Sequence, residues 1–458
     1  MRYDIERYLN VRNAGSPTWS PDGERIAYLT NITGVPQVWQ VGRKGGYPQQ
    51  ITYLRERISL VTYSPRQDML IYGMDHGGNE RQQLYALSMD GSDARDLSGE
   101  PEVVHHFGGW SPDGTQICLA SNQRHPAFFD IYTQDAATGL CNLVVQNDGT
   151  NYPNSWSPDG ASILFNRPTG LTNNDLFLLT LANNEVRHLT PHEGLSAFRQ
   201  PIWSRDGKGL FLRTDINREF AALVYLDLES GEMQTIFEDQ WDVELHDLSH
   251  DGRYVALTLN EHGYSHLMVL DHTTGEQLPI PTMPNGVITS LEWSPVSLRL
   301  ALSFVSGKCN SDIWVVDMTD NSATQVTYSS RAGIQQDGFV EPELVSYPTF
   351  DGREIPAWLY RPIGKNGSLP VVISIHGGPE SQERPGFNPN IQYLVNQGFA
   401  VLAPNVRGST GYGKEYNHLD DVRKRMDSVK DIGYAVRWLR SSGTAQPNKI
   451  AVMGGSYG

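Results

Sequence analysis

The sequence predicts a seven-bladed β-propeller followed by an incomplete α/β domain, and three observations carry that prediction. A five-residue turn signature recurs seven times, with starts 44 to 47 residues apart. Each repeat has room for four short strands, the arithmetic of a propeller blade. After Gly338 the rhythm changes to buried strands alternating with helices, which indicates a parallel sheet covered on both faces.

The signature is "WSPDG" at Trp19, Trp110 and Trp156, with degenerate copies from Tyr63, Trp203, Leu248 and Trp293. Ser-Pro-Asp-Gly suits a type I turn: a turn-starting hydroxyl, a proline with preset φ, and a closing glycine. Alternating apolar residues follow, as in "RIAYLT" from Arg25 and "SILFNR" from Ser162. That period-2 pattern fits a half-buried strand. A second strand such as "QVWQV" (Gln37 to Val41) or "DIWVV" (Asp312 to Val316) comes next, and a short last strand ends near Thr52, Thr190 or Thr327. Seven such blades span about Ser16 to Ser329.

Tryptophan at one phase in five of the seven copies reads as filling between neighbouring blades rather than as a ligand platform. Every copy reads as four strands in order, so no strand is shared between the first and last blades. Ring closure is then expected to rest on side-chain packing.

In the second domain, Glu343 to Phe350 and Glu354 to Pro362 flank Asp351-Gly352 and read as a hairpin. "PVVISIHGGP" gives a buried strand, Val371 to Ile375, that breaks into a glycine turn. Asn390 to Gly398 reads as a helix, "FAVLAP" as a second buried strand, Ser428 to Gly443 as a helix, and "KIAVM" as a third buried strand. The last strand runs into Gly454-Gly455-Ser456-Tyr457-Gly458, which fits G-x-S-x-G, the sharp strand-to-helix turn that exposes a serine hydroxyl. The H-G-G turn after the earlier strand is where a second oxyanion donor is expected in an α/β-hydrolase. The predicted fold is therefore a seven-bladed β-propeller followed by an incomplete α/β-hydrolase domain. Residues 1–15 are expected as an N-terminal arm, 16–335 as the propeller and 340–458 as the first half of the catalytic domain.

"HGGP" at His376 to Pro379, "NVRGSTGYG" at Asn405 to Gly413 and "GGSYG" at Gly454 to Gly458, behind a seven-fold propeller, together resemble the prolyl oligopeptidase family of serine peptidases. The histidine of "HGGP" is more similar to the acylaminoacyl-peptidase branch than to the proline-specific one. The resemblance covers essentially the whole chain. It implies that Ser456 is the nucleophile, that the backbone N–H groups of Gly378 and Tyr457 are oxyanion donors, and that the propeller gates access so that short peptides are the substrates. No cofactor or metal is implied.

A serine hydroxyl needs a histidine to take its proton and a carboxylate to orient that histidine. In α/β-hydrolases both follow the serine, so the sequence is expected to be truncated just after its nucleophile motif and inactive alone. His376 belongs to the oxyanion turn and His418 to a polar stretch, so neither is expected to substitute. Asp431 and Arg407 are expected as a helix N-terminal carboxylate and a loop salt bridge.

Composition narrows the alternatives. Net charge is −16 with scattered basic residues, which disfavours nucleic acid and anionic membranes. The start has no apolar run after its charges and no stretch of about 18 apolar residues exists, so a cytoplasmic protein is expected. Cys118, Cys141 and Cys309 lack C-x-x-C spacing and read as free thiols. Two other readings stay open: a propeller-based peptide or protein binding module with a vestigial hydrolase half, and a carboxylesterase using the same acyl-transfer chemistry. The oligomeric state is not written in the sequence.

Overall fold

The computed structural model describes residues 2–458. Seven antiparallel sheets form the propeller, with strands running over Ala14–Gln50, Ile58–Asp96, His105–Val145, Tyr152–His188, Phe198–Phe237, Val243–Asp271 and Val287–Gln325. The repeated turn explains the period. Asp22 accepts from the Ser20 hydroxyl at 2.5 Å and from the Glu24 N–H at 3.0 Å, and Ser20 Oγ accepts from the Arg25 N–H at 2.9 Å. Ser111–Asp113, Ser157–Asp159, Ser204–Asp206 and Ser249–Asp251 repeat the bond. These bonds favour the carboxylate, so the Asp22 carboxyl sits below its usual range, the Ser20 hydroxyl contributing most. Gly23 closes the turn at φ 67°, and a Cβ there would meet Val296 Cγ2 of blade seven at 2.6 Å. Glycine is thus required twice, by conformation and by the approach of the next blade.

The signature tryptophans fill the seams as expected. Trp19 packs with Ile313, Val315 and Val326 of blade seven. Trp203 packs with Leu164 and Leu176 of blade four, and Trp293 with Ala256 and Val269 of blade six. No strand is shared across the first–last seam. Closure rests on Trp19 and on polar bonds: Glu292 Oε1 accepts from the Trp19 N–H at 3.0 Å, and the Trp19 indole donates to the Glu292 carbonyl at 3.0 Å. Asp247 repeats the arrangement one seam earlier, accepting from the Trp293 N–H at 2.7 Å.

Blade six corrects the expectation of four strands per copy. It has three strands, and the fourth position is reduced to a single bridge, Leu270 to Gln277. The following residues contain Pro279, Pro281 and Pro284. Prolines have no N–H to donate, so a ladder cannot propagate through them.

The second unit is a five-stranded sheet. Glu343–Pro348 and Glu354–Tyr360 form the expected hairpin, which joins antiparallel to Ala400–Pro404. Leu369–Ile375 lies parallel between Ala400–Pro404 and Ala445–Gly454. One face buries Tyr347, Ile355, Leu402 and Ile373 under the helix Arg425–Ser441, whose Ala435 and Leu439 reach into that core. The other packs Trp358, Tyr360 and Val401 against the helix Pro389–Asn396 and against Tyr264 of blade six. The helix Ile5–Leu9 docks here too: Tyr8 meets Tyr393 and Phe339 edge-on, and Gln397 donates to the Tyr3 carbonyl. The strand read from Lys449 to Met453, expected to lack a neighbour on its outer side in this chain, lies within Ala445–Gly454. In this chain it is the sheet's edge strand, with Val452 55% exposed. Among the described residues, no helix is long and apolar enough to cross a membrane.

The seam carboxylates give the ring a pH dependence. Burial, reinforced by Asp247, pushes the Glu292 carboxyl up to about 8 from 4.5. A carboxyl raised on folding contributes stability that is full below the ordinary glutamate value and is lost as pH rises toward about 8. Glu292→Gln keeps an acceptor for the Trp19 N–H without the charge. The melting temperature of this variant relative to wild type should therefore climb between pH 5 and pH 8.5, by about 2–4 °C for each kcal/mol recovered. A constant difference across that range in calorimetry would contradict the role given to Glu292.

Candidate active site

Two turns leave adjacent parallel strands at the same level, because Ile375 is the register partner of Gly454. The next residues therefore meet: a Cβ on Gly377 would lie 3.2 Å from the Gly455 carbonyl and 3.3 Å from Ser456 Cβ. Any larger residue at 377 would press directly on the serine. Ser456 itself has φ 54°, the left-handed conformation of a sharp strand-to-helix turn. A Cβ on Gly454 would run into the Gly458 carbonyl, so the outer glycines of G-x-S-x-G let the chain cross itself. Gly378, at φ 124°, follows on the wall of the cavity described below.

Tyr457 is anchored by its side chain. Its hydroxyl lies 3.0 Å from Ser428 Oγ and 3.2 Å from Asp420 Oδ2, and the Arg425 guanidinium stands 4.9 Å from its ring centre. Asp420 is 1% exposed, and burial pushes its carboxyl up against the opposing pull of Tyr457 and Arg425. The turn is thereby tied to the start of the helix Arg425–Ser441.

Neither histidine of this unit reaches the serine. His376 Nδ1 lies 2.8 Å from the Gly377 carbonyl, which can only accept, so this nitrogen carries the proton; Nε2 lies 3.0 Å from Ser409 Oγ. Burial pushes its imidazole down, favouring the neutral ring. His418 pairs with Asp421 at 2.7 Å. Among the described residues, Ser456 Oγ has no hydrogen-bond partner, and no three or more His, Cys, Asp or Glu side chains gather as a metal site would.

Arg407 makes the expected loop salt bridge, whereas Asp431 is not the expected helix N-terminal carboxylate. Asp431 sits in the second turn of its helix, fully buried, and serves no helix terminus. Its oxygens accept from Arg407 Nε and an Arg407 terminal nitrogen, each at 2.9 Å, and from the Thr349 hydroxyl at 2.7 Å. Arg407 also reaches Asp351 at 3.0 and 3.1 Å. One buried guanidinium thus ties the hairpin turn, the "NVRGS" loop and the helix together.

A cavity of about 820 Å³ opens between the two units. Gly378, Glu380 and Arg384 line one side, and Arg199, Arg213 and Asp242 of blades five and six face them. Arg384 bridges the units, reaching both oxygens of Glu244 at 2.8 and 2.7 Å. Asp242 accepts from the Ala221 N–H, and burial pushes its carboxyl up to about 6. No motif announces these propeller residues; only the alternation of their strands marks them as pointing off one sheet face.

Residues 385–458 match the model of the prolyl oligopeptidase family. Over 96% of its length the chain is 26% identical to dipeptidyl aminopeptidase BIII of Pseudoxanthomonas mexicana, of which it spans 66%. Across 20% of its length it is 36% identical to the acylamino-acid-releasing enzyme of Arabidopsis thaliana, of which that stretch covers 12%. The crystal structure of puromycin hydrolase superposes on the whole chain with a TM-score of 0.84 at 18% identity, 76% of that chain being covered. This last likeness speaks for the fold.

The Arg407 clamp makes a direct prediction. Removing one partner of a buried pair leaves an uncompensated charge and costs about 3–5 kcal/mol. Arg407→Met should lower the unfolding free energy of the α/β unit by an amount of that order, read in urea as a lower midpoint at unchanged slope. Arg407→Met with Asp431→Leu should cost less than the two single changes added, in a double-mutant cycle.

Proposed function

We propose that this chain, which belongs to the prolyl oligopeptidase family, carries the gate and the nucleophile of a serine peptidase that hydrolyses short peptides through an acyl-enzyme on Ser456. The observation that carries this reading is the contact of the two glycine turns, with Gly377 against Ser456. A carbonyl carbon attacked by Ser456 Oγ needs its oxygen held by donors placed where negative charge develops. The N–H groups of Gly378 and Tyr457 are the donors assigned here. Each belongs to a residue directly after the touching pair, and each is positioned by an anchored neighbour: His376 through the Gly377 carbonyl, and Asp420 through the Tyr457 hydroxyl. The Gly377 carbonyl and the Gly378 N–H share one planar peptide unit, so fixing the first aims the second.

The serine must lose a proton as it attacks, and no base stands beside it among the described residues. We assign that role to neither His376 nor His418, since both are engaged elsewhere. The 458-residue polypeptide on its own is therefore proposed to be inactive, because absence of a triad member typically costs several powers of ten in rate. Short peptides are the proposed substrates, since the cavity beside Gly378 is lined by both the propeller and the second unit.

Two measurements test this reading. The protein as its gene encodes it should label covalently with a serine-directed fluorophosphonate, and Ser456→Ala should abolish the labelling; persistence in that variant would refute the nucleophile. The 458-residue polypeptide should hydrolyse chromogenic aminoacyl and acylaminoacyl substrates no faster than its Ser456→Ala variant. Turnover that this substitution abolishes would require a base in the described residues, with His376→Ala the next variant to assay.

A further inference from the structure

Blade five carries an arrangement that is hard to explain by folding alone. Arg199, on the strand Phe198–Trp203, is the direct cross-strand partner of Arg213, on Gly209–Thr214. Directly opposed side chains project from one face of the sheet, and like charges so placed are destabilising. Both line the cavity opposite Gly378.

Neither arginine has an ion-pair partner. Among the described residues, no carboxylate lies within 4.0 Å of either guanidinium. Arg199 donates only to the Leu171 carbonyl, at 3.4 Å. Arg213 donates to the Val243 carbonyl at 3.2 Å and to Gln200 Oε1 at 3.3 Å, and its Nε is buried without a partner. Three hydrogen bonds to protein acceptors serve their ten N–H groups. The nearby carboxylates are engaged: Glu244 with Arg384, Asp215 with Lys414 at 3.7 Å, and Asp242 with the Ala221 N–H. Burial, with the adjacent Arg199, pushes the Arg213 guanidinium down to about 10 against the opposing pull of Glu244 and Asp242, neither of which is within ion-pair distance.

We propose that Arg199 and Arg213 form the binding site for the C-terminal carboxylate of a short peptide held in the interdomain cavity. A carboxylate matches the fork of a guanidinium and can bridge two of them, removing their mutual repulsion. With the peptide's far end fixed on blade five and its scissile carbonyl at the Gly377–Ser456 contact, the distance across the cavity limits the length of the segment leaving on the C-terminal side. Selection for short peptides then follows from a charge contact. This assignment rests on the peptidase reading for its catalytic consequence, but the binding itself is independent of it.

The test measures binding of a fluorescein-labelled tetrapeptide, as the free acid and as the C-terminal amide, to the Ser456→Ala form of the protein as its gene encodes it. A hydrogen-bonded charge contact of this kind predicts that the acid binds roughly tenfold or more tighter, less so at high salt. Arg199→Gln, at an exposed position, and Arg213→Gln should each remove most of that preference. Equal affinity for acid and amide, or a preference that survives both substitutions, overturns the site. A second pair, the amide carrying an internal Glu or Gln, separates the source of the carboxylate: discrimination there but not at the terminus overturns the C-terminal assignment. Fluorophosphonate labelling of the unsubstituted protein is scored in parallel. Labelling without carboxylate discrimination defeats only this proposal, and discrimination without labelling defeats only the peptidase reading.

Discussion

The parallel pairing of Leu369–Ile375 with Ala445–Gly454 is the constraint on which the chemistry of this chain depends. With Ile375 opposite Gly454, the glycine turn and the serine turn emerge side by side. A slip in that register would separate Gly377 from Ser456, since parallel neighbours advance together by about 3.3 Å per residue. The turns can occupy one place only because Gly377, Gly454 and Gly458 lack side chains, and each position would otherwise meet backbone or the serine itself. Anchors farther out hold the turns at this contact. His376 grips one turn from within, and Asp420, Ser428 and Arg425 hold the other through the Tyr457 ring.

The propeller solves a different problem. A ring of seven sheets needs a seam where chain start meets chain end, and here no strand crosses it. Glu292 and Trp19 take the place of a shared strand, with Asp247 and Trp293 repeating the device one blade earlier. A carboxyl oxygen accepting a backbone N–H gives a directional bond across the seam. The cost is desolvation, seen in the upward displacement of both carboxyls, Asp247 to about 6 and Glu292 to about 8. The seam therefore responds to pH.

Between the two units, side chains and a cavity share the interface. Arg384 and Glu244, Asn260 and Gln382, and Trp358 against Tyr264 join the second unit to blade six, while the Glu219 carboxylate of blade five accepts the Glu415 N–H from the short helix Lys414–Asn417. These contacts leave open the space that Gly378 and the blade-five arginines line. Fixing one wall against the other gives the cavity a set width, and so makes charge on the far wall relevant to chemistry on the near one.

What the sequence determined by itself is local. The Ser-Pro-Asp-Gly turn, the strand alternation and the G-x-S-x-G crossing depend on steric and hydrogen-bond demands among consecutive residues, so blade number and the serine turn were legible. Blade six's missing fourth strand was also written there, in Pro279, Pro281 and Pro284, and was obscured by the regularity of the repeat. The tertiary structure alone decided the rest. Asp431 lies near the start of its helix, yet its partner, Arg407, comes from a different loop, and no helix-end rule could reveal a bond made only after the sheet assembles. Arg199 and Arg213 are 14 residues apart in two ordinary strands, and they become a pair of like charges only through strand register. They come to face Gly378 only through the docking of one unit on the other. Contacts of that range depend on the closure of the ring and the packing of the domains, which no short stretch of sequence encodes.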